Sequence, residues 1–129
     1  MPYLLPFKVG IIGTRERDTL VDFNIVLEAF SDLSNSLGGT DYHIISGGCP
    51  IGADRFAERI AKDYSYPITI YYANWDLYGK RAASVRNLTI AQHSDYLIAC
   101  VSKDRKGGTE MTIKMFIKHK GSDNNLILV

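Results

Sequence analysis

Apolar positions along the chain fall into two patterns that take turns. Phe7 to Ile12 (FKVGII) is a short, almost wholly apolar run ending at Gly13, as expected of a strand covered on both faces. Between Asp18 and Leu37 the period changes, and Leu20, Phe23, Val26, Leu27, Phe30, Leu33 and Leu37 recur at helical spacing until Gly38-Gly39 ends the pattern. Tyr42 to Ser46 predicts a second strand. Ala53 to Tyr64 predicts a helix with Phe56, Ala57, Ile60 and Ala61 on one face. Ile68 to Tyr72 (ITIYY), entered through Pro67, predicts a third strand. The segment ANWDLYGKRAASVRN has no clear period and passes into a helix through Leu88, Ile90 and Ala91. Asp95 to Val101 predicts a fourth strand, Thr109 to Lys118 a helix, and Leu126 to Val129 a fifth strand.

Five strands alternating with four helices predict a three-layer α/β/α Rossmann-like sandwich around a mainly parallel sheet, because right-handed crossovers carry helices to both faces. With 129 residues and no linker, repeat or low-complexity stretch, the chain 1–129 reads as one domain. Fifteen Lys and Arg against 14 Asp and Glu give a net charge of +1, which argues against a protein devoted to duplex nucleic acid. Cys49 and Cys100 have no metal-ligand spacing, and His43, His93 and His119 are scattered, so neither a metal nor a cofactor is expected. The start, MPYLLPFKVGII, lacks a basic n-region and is interrupted by Pro, so no signal peptide or membrane span is expected and a cytoplasmic location is.

In a sheet of this kind ligands bind beyond the carboxyl ends of the strands. Those ends carry Gly13-Thr14-Arg15, Ser46-Gly47-Gly48 with Gly52 behind it, Trp75 to Asn87, and Gly107-Gly108-Thr109. Glycines let backbone amides approach a ligand closely, and the helix that follows adds unpaired N–H groups and the positive end of its dipole, which suits a phosphate or carboxylate. No Walker lysine pattern and no G-x-G-x-x-G spacing is present, against an ATP-hydrolysing engine or an ordinary nicotinamide dehydrogenase. Arg15 is placed to grip phosphate. Asp54 caps helix amides or accepts from a ribose hydroxyl. Trp75, with Tyr78 nearby, stacks a base or simply packs. Lys80, Arg81, Arg86 and Asn87 suit phosphate and sugar, and Glu110 stabilises a helix start or acts as an acid or base.

Taken together and in order, ISGGCPIGADRFAERIA, WDLYGKRAASVRN, HSDYLIACV and GGTEMT resemble the SLOG group of Rossmann-like domains. That group includes the lysine-decarboxylase-like LOG enzymes, the DNA-processing protein DprA and the YpsA/YspA branch, to which residues 7 to 120 are most similar. The resemblance implies a pocket for a nucleotide or nucleotide-derived ligand, with the glycine turns on its phosphate. From the LOG enzymes it implies an N-glycosidase acting on nucleoside 5′-monophosphates, with Arg86 and Glu110 as the catalytic candidates or Asp54 in place of Glu110. It also implies a homodimer or larger homo-oligomer, joined through the helix from Asp18 or the open fifth strand.

The chain departs from the LOG signature P-G-G-x-G-T-x-x-E. It reads K-G-G-T-E-M-T, with Thr112 where the signature has its glutamate. Ligand binding without cleavage is therefore the first expectation and glycosidase activity the second. A DprA-like module on single-stranded DNA, using Lys80, Arg81, Arg86, Lys103, Arg105 and Lys106, is the third.

Overall fold

The computed structural model describes residues 6–38 and 41–129. Met1 to Leu5 of the apolar start, and Gly39 of the expected helix stop, lie outside the described residues. The elements run β1 (Phe7–Gly13), α1 (Leu20–Leu37), β2 (Tyr42–Ser46), α2 (Ala53–Asp63), β3 (Ile68–Ile70), α3 (Trp75–Tyr78), a 3-10 turn (Gly79–Arg81), α4 (Ala82–His93), β4 (Tyr96–Cys100), α5 (Gly108–Lys120) and β5 (Leu126–Leu128).

The five strands form one sheet in the order β3-β2-β1-β4-β5, and all four pairings are parallel. Alternate residues of the central strand separate the two helical layers. Val9 and Ile11 pack toward Phe23, Val26 and Phe30 of α1 and Phe56 and Ile60 of α2. Ile12 packs the other way, with Ile90 of α4 and Ile113 and Phe116 of α5. The result is the three-layer Rossmann-like sandwich expected from the alternation of patterns. Among the described residues no helix is long and apolar enough to cross a membrane.

Local chemistry shifts some boundaries. α1 begins at Leu20 rather than Asp18 because Thr19 caps it: its hydroxyl accepts from the Asp22 amide at 3.2 Å, while the Asp22 carboxylate accepts from the Thr19 amide at 3.2 Å. Leu20, expected on the apolar face, is 64% exposed in the first turn. Asp18 instead reaches α2, accepting from the Gly52 amide at 2.7 Å and Arg55 Nη2 at 2.8 Å.

The third strand is shorter than expected and stops at Ile70. The stretch from Trp75 to Arg81, expected to be irregular, is instead helical: the Asn74 side chain accepts from the Leu77 amide at 3.0 Å and starts α3. None of its residues is buried, so hydrophobic periodicity had nothing to report there.

Candidate functional site

The chain moves outward from β1 to β2 to β3, then crosses back to place β4 on the other side of β1. Loops leaving β1 and β4 therefore diverge to opposite faces, and a crevice opens between them. Here it is a cleft of about 450 Å³ with Ile12 and Ile90 in its lining, walled by the turn after β1, the glycine turn after β2, α4 and the start of α5.

Arg86 and Asn87 dominate one wall. Arg86 Nη1 donates to the Gly47 carbonyl at 2.8 Å and Nε to Asn87 Oδ1 at 2.8 Å. The second bond fixes the orientation of the Asn87 amide, since only its oxygen accepts. Asn87 is 7% exposed, and its Nδ2 meets only the Met111 sulfur at 4.0 Å among the described residues. That is a weak contact for a buried donor. Arg86 Nη2 likewise has no protein partner among them. Both residues line the cleft, so both sets of remaining donors are available to a ligand there.

Asp54 lies on the opposite side of Gly47. A Cβ on Gly47 would come within 2.9 Å of Asp54 Oδ2 and 3.0 Å of Arg86 Nη1, so glycine is what lets the carboxylate and the guanidinium flank one point of backbone. Asp54 stands in the first turn of α2, yet its carboxylate reaches back to accept from the Cys49 amide at 3.0 Å, holding the loop before the helix. It is 9% exposed, and burial pushes its carboxyl above the usual range; the Cys49 amide and the charge of Arg86 pull partly against that.

The third wall is the start of α5. Gly107 occupies the N-cap without any side-chain hydrogen bond, so the first amides of the helix are left for another acceptor. Its φ of +99° suits glycine, and beyond its own chain neighbours no atom of the described residues lies within 4 Å of where its Cβ would be. Lys106, Gly108 and Thr109 line the cleft beside it. Thr112, one turn on and 2% exposed, also lines it, with its hydroxyl donating to the Gly108 carbonyl at 3.0 Å.

The cleft thus gathers Gly13, Thr14, Arg15, Gly47, Asp54, Arg86, Asn87, Gly107, Gly108 and Thr109 from the residues singled out in the sequence. The others stand elsewhere. Ser46 is buried, its hydroxyl donating to the Asp54 carbonyl at 3.2 Å. Gly48 lies under the Tyr72 ring, whose Cε1 would be 2.5 Å from an added Cβ, and Gly52 packs on the Thr14 carbonyl. Trp75, Lys80 and Arg81 are exposed on α3 and the 3-10 turn and do not line the cleft.

Glu110 also lies outside the lining, because both of its oxygens accept from Arg105, at 2.7 and 2.9 Å. This argues against Glu110 as the carboxylate of the site. It also ties Arg105 into a two-point ion pair. Glu16, Cys49, Ala83 and Thr112 line the cleft without having been chosen as site residues, and so does Lys106, named above only for the DNA-binding reading. Two of them had legible signals: Lys106 precedes the glycine pair, and Thr112 lies four residues beyond Gly108 on the same helical face. Cys49 and Cys100 are both free thiols.

Among the described residues no cluster of three or more His, Cys, Asp or Glu is placed to hold a metal ion. Comparison of the chain with protein-family models, with curated proteins and with solved structures finds no match in any of the three.

Proposed function

We propose that this protein binds a nucleotide or a nucleotide-derived ligand in the cleft between β1 and β4, its phosphate toward the start of α5 and its sugar toward Asp54. The single observation that carries the reading is Asn87, a buried residue in the lining of a polar cleft whose amide donor has, among the described residues, only a distant sulfur as partner. A distant sulfur is a weak partner for such a donor, and an anionic ligand oxygen would give it a stronger, charge-assisted one. Arg86 Nη2, Lys106 and the uncapped amides of α5 add the positive potential that a phosphate needs. The resemblance of residues 7 to 120 to the SLOG group supports the same reading.

Calorimetric titration with nucleoside mono-, di- and triphosphates tests it. Arg86→Ala is expected to weaken the best of them by about 100-fold, or about 2.7 kcal/mol, while circular dichroism stays unchanged. Equal affinity in the folded variant would remove the proposed pocket.

A second reading, hydrolysis of the N-glycosidic bond of a nucleoside 5′-monophosphate, is favoured by one feature. Cleavage develops positive charge on the sugar and needs a carboxylate close by, and Asp54 is a desolvated carboxyl in the same cleft as Arg86. Its test is release of free base by the wild-type chain and none by Asp54→Asn with binding retained. Saturable binding without release from any monophosphate leaves the first reading alone.

A further inference from the structure

Glu110 and Arg105 make a two-point ion pair at the edge of the cleft, although neither lines it. The pair closes a tight loop. Arg105 is held at φ +54°, a left-handed conformation unusual for a side chain with a Cβ. Around it the loop is gathered on Ser102, which is 5% exposed: its carbonyl accepts from the Arg105 amide at 3.2 Å, its hydroxyl accepts from the Lys106 amide at 3.4 Å and donates to Asp104 at 2.7 Å. The next residues, Lys106 to Thr109, are the ones that face the cleft.

We infer that the Arg105–Glu110 pair is a positioning strut that sets the Lys106 side chain and the Gly107 to Thr109 amides for an anionic group of the ligand. The inference rests on the binding function proposed above. Glu110 is fixed in the first turn of α5, and its two oxygens grip the planar guanidinium at two points, which specifies orientation as well as distance. Without that grip Arg105 returns to an ordinary backbone conformation, and the loop carries Lys106 away from the cleft.

The decisive feature is a difference of sign. Glu110→Gln deletes a negative charge beside an anion site, so through-space electrostatics alone predicts tighter binding. Arg105→Lys keeps the charge and predicts no change. The strut predicts that both variants bind more weakly, because each loses the two-point grip.

The test is titration of wild type, Glu110→Gln and Arg105→Lys with inorganic pyrophosphate and with the nucleoside phosphates above, at fixed ionic strength, with thermal unfolding measured alongside. We expect each variant to lose affinity by roughly five-fold at a near-unchanged Tm. The double variant loses no more than the weaker single one, since both act on one contact. Unchanged or tighter binding in folded Glu110→Gln overturns the strut while the wild-type affinity keeps the binding function standing. No binding of any probe by the wild type removes the function and the strut together.

Discussion

Two glycine turns that look alike in the sequence behave in opposite ways. SGGCPIG, after β2, is filled by the protein itself: Gly47 and Gly52 are buried, Gly48 lies beneath Tyr72, and Gly52 sits 2.7 Å, measured from its would-be Cβ, from the Thr14 carbonyl. KGGT, after β4, is open: among the described residues beyond the chain neighbours, an added Cβ on Gly107 would have nothing within 4 Å and one on Gly108 only Asn87 Nδ2, at 3.7 Å. Both turns precede a helix without a side-chain cap. The difference teaches that a missing Cβ records close approach or unusual backbone, and not what approaches. After β2 the approaching groups are a neighbouring loop, a ring and the Asp54–Arg86 pair. After β4 the space belongs to the cleft.

The largest effect expected from breaking this contrast is on stability. Gly52→Ala places a Cβ against backbone at φ +85°, so strain and overpacking add, and urea unfolding should show a loss of about 3 kcal/mol. Gly108→Ala is the counterpart in the open turn. It stands in the first turn of α5 with room for a methyl group, so stability should stay within about 1 kcal/mol, while the narrowed cleft should weaken nucleotide binding by about ten-fold, or 1.4 kcal/mol, in calorimetry.

Asp54→Asn sharpens the comparison through pH. Burial raises the folded carboxyl above its unfolded value, so its favourable contribution is full below the unfolded pKa and is lost as pH rises through the folded one. Above the folded pKa the ionised group is therefore a cost, and there the Asn variant should melt at higher temperature than wild type. That advantage should shrink as the pH is lowered through the folded pKa; a constant difference across a series of thermal scans would contradict the sign. The smallest effect belongs to Trp75→Ala. With Trp75 59% exposed and outside the cleft, stability should change by less than about 0.5 kcal/mol and nucleotide affinity by less than about two-fold.

Much of this architecture is legible in the sequence. The runs FKVGII and YHIIS read as strands because a parallel sheet buried on both faces needs unbroken apolar stretches, and α1 read as a helix because only one stripe of it meets the core. α3 was missed for the converse reason, since a short helix that buries nothing leaves no period. The candidate cleft is legible in part. Arg86, Asn87, Asp54 and the glycines after β4 were marked by residue type and by their place at strand ends, where the fold class alone predicts ligands.

By itself, then, the order of strands and helices determined a Rossmann-like sandwich and the end of the sheet at which polar and glycine residues collect, because both follow from periodicity and the handedness of crossovers. Only the tertiary structure decided which of those residues share one cleft. Glu110 and Thr112 stand two residues apart on one helix, yet one turns outward to Arg105 and the other inward beneath Gly108, because a helix rotates about 100° per residue and the cleft sees a single face. The approach of Asp54 and Arg86 across Gly47 joins α2, the turn after β2 and α4. Contacts between elements so far apart in the chain are set by how the layers pack, and no local pattern encodes them.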